Sequence, residues 1–307
     1  MTIDIVLSAD RGVLYGLATT VRSALESSSD IVNVHVLATG FSEKDRADLK
    51  RSWAHGKCGT VAFYDVPAEK LAPFRSTKYL KSKSAYARYF IALLPADVTR
   101  CIYLDTDLLV MRDLAEAARM DLAGHPIAAV ADVSVRTRKS WPELRARLGL
   151  QDERTYFNSG FLIIDLTAWR AHDIEQALVD ISIAAFDRLD SQDQDALNLV
   201  FENKTLLLDP DWNTSQYERP ERLEGRIIHL IGTVKPWHAR YAKKLDDPYM
   251  KNVMYDGFYG ILDRTAYRGY RPWNVAGLGA LAETFRGNIP TRDMIAGKLR
   301  RMVSRNG

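Results

Sequence analysis

Two carboxylates one residue apart, Asp105 and Asp107, interrupt an apolar, strand-like run from Cys101 to Val110. An ionised Asp is almost never buried without a partner, so acids set into such a run point to ligation. Strand alternation sends residues i and i+2 to the same side, and on that pattern both carboxylates converge on one divalent cation. Turn and cap chemistry also favours Asp, so the pair alone does not decide. A second segment, Ile227 to His238, adds other groups. His229 closes a short apolar run and offers an imidazole nitrogen, Gly232 permits close backbone approach, and Lys235 is a point charge suited to phosphate. Singly, His229 reads as a structural histidine; beside an Asp-x-Asp pair it reads as a third ligand.

The elements that must position these residues alternate. Ile3 to Ser8 reads as a strand, Val13 to Glu26 as a helix, Ile31 to Ala38 as a strand, and Ser42 opens a helix with an N-cap signal. Thr60 to Val66 is a third strand, Ser84 to Leu94 an apolar-faced helix, Arg100 to Leu104 a fourth strand, and Ile127 to Ala131 a fifth, ending at Asp132. Such alternation predicts an α/β fold with a mostly parallel central sheet and helices on both faces. Ligands gather at the carboxyl ends of strands in these sheets, where Asp10, Asp105, Asp107 and Asp132 fall. A phosphohydrolase or phosphotransferase of the haloacid dehalogenase type also sets Asp-x-Asp after an apolar strand, so that chemistry competes at this stage.

Length and composition exclude several classes. The chain has 307 residues, 47% hydrophobic and 26% charged, enough for one large α/β domain or two small ones. No apolar run approaches the roughly 18 residues of a membrane span, and an N-terminus that begins directly as a strand with no basic leader predicts no secretory signal. Two scattered cysteines, Cys58 and Cys101, fit a reducing compartment better than a disulfide framework or a zinc site. No glycine-rich dinucleotide or Walker-type loop follows the first strand, so a bound diphosphate must be neutralised by a metal ion and basic side chains. The net charge of +3 hides an asymmetry, because residues 237–307 hold 13 Lys and Arg against 6 Asp and Glu. That segment also interleaves Arg264, Arg268 and Arg271 with Tyr267, Tyr270 and Trp273. Basic and aromatic residues mixed in this way suit an anionic membrane surface, and equally a solvated helical extension.

Four segments, in this order, carry a family resemblance: Leu104-Asp105-Thr106-Asp107, Asn158-Ser159-Gly160-Phe161, Asp193-Gln194-Asp195-Ala196-Leu197-Asn198, and His229, Gly232, Lys235, Pro236 and Trp237. Over about residues 3 to 240 the chain resembles glycosyltransferase family 8, the retaining group that includes bacterial lipopolysaccharide galactosyl- and glucosyltransferases and glycogenin. The His-Gly-Lys-Pro-Trp segment and the Asp-Gln-Asp helix start are not features of the phosphohydrolases, which usually carry Asp-x-Asp near the N-terminus.

The resemblance implies a GT-A nucleotide-diphospho-sugar transferase domain over residues 1–240. The basic, aromatic remainder, 241–307, reads from its composition as a C-terminal helical extension suited to membrane-surface attachment. The resemblance implies Mn²⁺, with Mg²⁺ as the alternative ion, held by Asp105, Asp107 and His229. It places Lys235, Gly232 and Thr106 at the donor diphosphate, Ala9 and Asp10 at the nucleoside, and Arg88, Asp132, Asn158, Asp193 and Gln194 around the donor sugar. Family members often stack an aromatic residue on uracil just after the Ala-Asp pair; here the nearest is Tyr15, one helical position further on. The donor implied is UDP-galactose or UDP-glucose and the acceptor a glycan or glycolipid, at the cytoplasmic face of the membrane, with no nucleic acid involved. Retention requires a double displacement, usually with Asp or Glu as nucleophile, or same-face attack. The resemblance puts Gln194, an amide, beneath the anomeric carbon and so favours same-face attack, with Asp195 as the reserve nucleophile. A metal-dependent phosphohydrolase and a non-catalytic sugar-nucleotide-binding protein stand as alternatives.

Overall fold

A computed structural model describes residues 2–75, 83–151 and 156–272. Its strands are β1 (Thr2–Asp10), β2 (Ile31–Thr39), β3 (Cys58–Asp65), β4 (Arg100–Leu104), β5 (Leu108–Val110), β6 (Ile127–Ala131), β7 (Phe157–Asp165), β8 (Thr205–Leu208), β9 (Thr214–Ser215) and β10 (Ile227–His229). Seven form one sheet in the order β3-β2-β1-β4-β7-β6-β8, and β5, β10 and β9 form a second, small one. In the large sheet β7 alone runs antiparallel to its neighbours, β4 and β6. The remaining pairs are parallel, which is the mostly parallel architecture expected from the alternation.

The register follows from two-sided burial. Ile5 through Ala9 are buried without interruption apart from period-two alternation between faces, as a central parallel strand requires. Val6, Leu37, Tyr103 and Leu162 join the core on one face of the sheet, and Ile5, Leu7, Val36, Ile102 and Phe161 join the core on the other. The second core is covered by the helices α1 (Leu14–Ser27) and α2 (Glu43–Ser52). α2 starts where the N-cap signal puts it: Asp45 N–H donates to Ser42 Oγ at 3.2 Å and Ser42 N–H donates to the Asp45 carboxylate at 2.9 Å, a reciprocal capping box.

One expected helix is of a different kind. Residues Lys83–Leu93 form a 3-10 segment with a kink at Phe90, and six consecutive residues from Tyr86 to Ile91 are buried. An amphipathic α-helix buries a stripe; this segment is enclosed all round, and its buried Arg88 is tied to several partners described below. The sequence pattern gave no sign of β7 or β9, and it showed β5 and β10 only as short apolar runs, not as a paired sheet, because strands of two or three residues carry no alternation.

A third apolar cluster lies over the small sheet. Leu109, Ile228, Leu230 and Trp237 pack with Tyr241, Met250, Val253, Met254, Phe258, Tyr259, Ile261 and Leu262. Apolar packing therefore runs unbroken across residue 240, the expected boundary of the extension. No described helix is long and apolar enough to cross a membrane.

Candidate active site

Asp105 and Asp107 lie in the turn where the chain leaves β4 of the large sheet and enters β5 of the small one. Alternation along one strand is therefore not what makes them converge. The turn is pinned from both sheets: Asp105 N–H donates to the Gly160 carbonyl at 2.8 Å, and Leu230 N–H donates to the Asp107 carbonyl at 2.9 Å. His229, at the end of β10, completes a group whose ligand atoms all lie within 4.8 Å of one another. His229 Nε2 stands 3.3 Å from Asp107 Oδ1 and 3.9 Å from Asp105 Oδ2. Lys235 Nζ bonds the other Asp107 oxygen and also donates to the Leu230 carbonyl at 3.2 Å. Asp107 is 6% exposed. Burial works against its ionisation, but Lys235 and His229 hold its carboxyl below the ordinary carboxylate range.

The orientation of His229 is fixed by a chain of amides that sequence reasoning missed. Gly160 N–H must donate, so Asn158 presents its oxygen to it, at 2.9 Å. Asn213 Nδ2 then donates to that same oxygen at 2.8 Å, which leaves Asn213 Oδ1 facing His229 Nδ1 at 2.9 Å. An amide oxygen can only accept, so His229 Nδ1 donates to Asn213 Oδ1, and Nε2 is the ring nitrogen turned toward the acids. Gly160 is required at this point by space: a Cβ there would stand 2.3 Å from His229 Cε1. Asn213 sits between the 3-10 turn Pro210–Trp212 and β9, and nothing in its spacing marks it; only the sheet pairing brings it beneath His229.

The same chain reaches the other expected residues. Asn158 Nδ2 donates to Asp132 Oδ2 at 3.2 Å, and Gln194 Nε2 donates to that oxygen at 3.1 Å. Asp132 also caps the short helix Val133–Arg136 through its other oxygen, which accepts from Val135 N at 2.9 Å. Gln194 Oε1 accepts from Ser159 N at 3.2 Å, so its amide is held at both ends. Arg88 donates to Asp105 Oδ1 at 2.7 Å, to the Ser159 carbonyl and hydroxyl at 3.0 Å each, and lies 3.2 Å from Asp193 Oδ2. Burial opposes the charge of this guanidinium, but Asp105, Tyr103 and Asp193 raise its pKa and keep it protonated. The Asp193 carboxyl is also raised, by burial and despite Arg88, and in an acid a raised pKa disfavours the charged form.

The remaining expected residues make further contacts of their own. Ala9 is buried and Asp10 ends β1, its carboxylate accepting from Gly12 N at 2.7 Å. The carboxylate of Asp195 is fully buried, accepting from Tyr156 OH at 2.5 Å and from the backbone N–H groups of Asp190 and Ser191 at 2.7 and 2.8 Å. Gly232 has φ +110°, in the region that favours glycine, and Thr106 presents its carbonyl to α1 near Gly16. Tyr15 is stacked on Tyr270 with ring centres 3.6 Å apart and planes at 13°, so one face of the ring expected to substitute for a uracil-stacking aromatic is covered from within the chain.

Comparison with known proteins bears on the family and the fold. The family model described as Glycosyl transferase family 8 matches residues 4–240. General stress protein A of Bacillus subtilis is 30% identical over 65% of this chain and 70% of its own length. The lipopolysaccharide 1,3-galactosyltransferase of Salmonella typhimurium is 27% identical over 77% of this chain and 73% of its own. Among solved structures, the galactosyltransferase LgtC in complex with donor and acceptor sugar analogues is 26% identical, with a TM-score of 0.74 over 90% of this chain and 99% of that one.

Proposed function

The chain belongs to glycosyltransferase family 8, and from that premise we propose that it transfers a hexose, with retention, from a UDP-sugar to a lipopolysaccharide or other surface-glycan precursor. The observation that carries this reading is the meeting of Asp105, Asp107 and His229 within 4.8 Å, beside the Lys235 ammonium. Two carboxylates and one imidazole suit Mn²⁺, with Mg²⁺ favoured only where oxygen ligands dominate. An ion held there would neutralise negative charge on the donor diphosphate. Lys235 supplies a second positive charge for departing UDP, while Ala9 and Asp10 are assigned to the nucleoside and Thr106 and Gly232 to the diphosphate.

Arg88, Asp132, Asn158, Asp193 and Gln194 are assigned to the donor sugar. Their mutual bonds support a pocket formed in advance of the donor, which is what keeps a reacting sugar oriented. Gln194 is an amide held at both ends, and both oxygens of Asp195 are committed to donors in a fully buried position. Neither is suited to attack carbon, so we assign retention to same-face attack and give Asp195 the role of holding the turn at 190–191. The named activities of the lipopolysaccharide galactosyl- and glucosyltransferase relatives favour UDP-galactose or UDP-glucose as donor and a surface glycan as acceptor.

A panel of UDP-sugars incubated with Mn²⁺, with Mg²⁺ or with chelator tests the reading through UDP release. Slow donor hydrolysis with one UDP-hexose, abolished by chelator, is expected, and release of inorganic phosphate would favour the phosphohydrolase instead. In calorimetry, Asp107→Asn keeps the side-chain volume but removes a hard anionic ligand, so Mn²⁺ and UDP affinities should fall together; unchanged Mn²⁺-dependent UDP binding would remove Asp107 from the ligand set.

A further inference from the structure

Lys235 sits on a strap, residues 230–238, that has no helix or strand of its own. Such a segment places an ammonium only if something outside it fixes its backbone. Two tyrosines from far downstream do so. Tyr259 OH donates to the Pro236 carbonyl at 2.8 Å, and Tyr270 OH donates to the Trp237 carbonyl at 2.9 Å. These are the two carbonyls that immediately follow Lys235. Both tyrosines are themselves held: the Arg271 guanidinium lies 4.5 Å over the Tyr259 ring and bonds Asp263, and Tyr270 stacks on Tyr15 of α1. Tyr259 also closes a π-helical stretch, Val253–Tyr259, a rare backbone form that recurs at functional sites.

The strap is then pressed onto the turn that carries the acids. A Cβ at Gly16 would fall 2.4 Å from the Trp237 ring and 2.4 Å from the Thr106 carbonyl oxygen, so indole, α1 and the Asp105–Asp107 turn meet at one point where only hydrogen fits. Fixing the carbonyls at 236 and 237 therefore sets how far Lys235 stands from Asp107.

We propose that Tyr259 and Tyr270 are positioning residues for the donor diphosphate, acting through the backbone of the strap that bears Lys235. The inference rests on the donor reading above and extends the donor site to residues beyond the match with the family model. Phenylalanine keeps the ring packing and removes only the hydroxyl. In the full-length protein with Mn²⁺, Tyr259→Phe and Tyr270→Phe should each weaken UDP binding roughly threefold to tenfold, the equilibrium value of one hydrogen bond. The KM for the UDP-sugar should rise in step. Uridine, which has no phosphate for Lys235 to meet, should bind as tightly as in the parent. Tyr259 is fully buried and Tyr270 only partly so, which makes Tyr270→Phe the variant whose fold is least disturbed. UDP affinity unchanged within about twofold in both variants, or UDP and uridine affinities falling together, would overturn the proposal. Absence of Mn²⁺-dependent UDP binding in the parent would instead overturn the donor reading.

Discussion

Asn213 and Gly160 do their work by constraining His229. Metal-binding histidines are commonly oriented by a partner on the other ring nitrogen, and losing that partner costs about 10- to 100-fold in metal affinity. Asn213→Ala is therefore expected to weaken Mn²⁺ binding by about that range while the protein remains folded; calorimetry with Mn²⁺ alone checks it, and affinity within about twofold of the parent would deny Asn213 this role. At this scale the sequence was most informative where chemistry-bearing residues stand close together, as in Asp105 and Asp107 or His229 and Lys235. It was silent on Asn213 and Tyr156, whose partners are 16 and 39 residues away. An Asn between two short elements carries no local pattern, and its role exists only once β9 pairs with β10.

Elements were legible in proportion to their period and length. β1, β2, α1 and the capped start of α2 carry strong local signals, whereas the small sheet pairs strands too short to show alternation. Yet the small sheet supplies His229 and receives Asp107, so two of the three candidate metal ligands are placed by strands too short to show alternation. The C-terminal elements are tied back by charge as well as by packing. Arg264 donates to both Glu26 oxygens, at 2.8 and 2.6 Å, and Arg22 donates to one of them at 2.7 Å. Burial alone would raise the Glu26 carboxyl, but Arg264 and Arg22 hold it below its ordinary value. A carboxyl depressed in the folded state stabilises above its unfolded pKa, about 4.3, and that contribution is lost as pH falls through the folded value. The pair is partly exposed, so the effect is discounted to at most about 1 kcal/mol. Glu26→Gln should lower the melting temperature at pH 7 and leave it nearly unchanged near pH 3, and an equal deficit at both pH values would rule out the ion pair as the cause.

For the whole molecule, the question is where the catalytic unit ends. The basic, aromatic stretch that suggested a membrane surface divides in two. Its first part is turned inward: Tyr267 and Tyr270 pack on Tyr15, Arg264 pairs with Glu26, and Arg271 pairs with Asp263. Trp273 and the rest of the chain lie outside the described residues, and that remainder still holds 6 Lys and Arg against 2 Asp and Glu. Each such cation near an anionic surface contributes roughly 1 kcal/mol before screening, so we assign membrane attachment to residues 273–307. A chain cut near residue 260 would lose Ile261 and Leu262 from the third core along with Tyr270, and UDP binding should fail with it. A chain ending at Pro272 keeps every described contact. It should retain Mn²⁺-dependent UDP binding yet no longer co-sediment with anionic vesicles at low salt, while the full chain does so and is released as salt rises past the screening range. If the full chain stays in the supernatant even at low salt, the terminal residues are not a membrane anchor, and the acceptor must reach the site from solution.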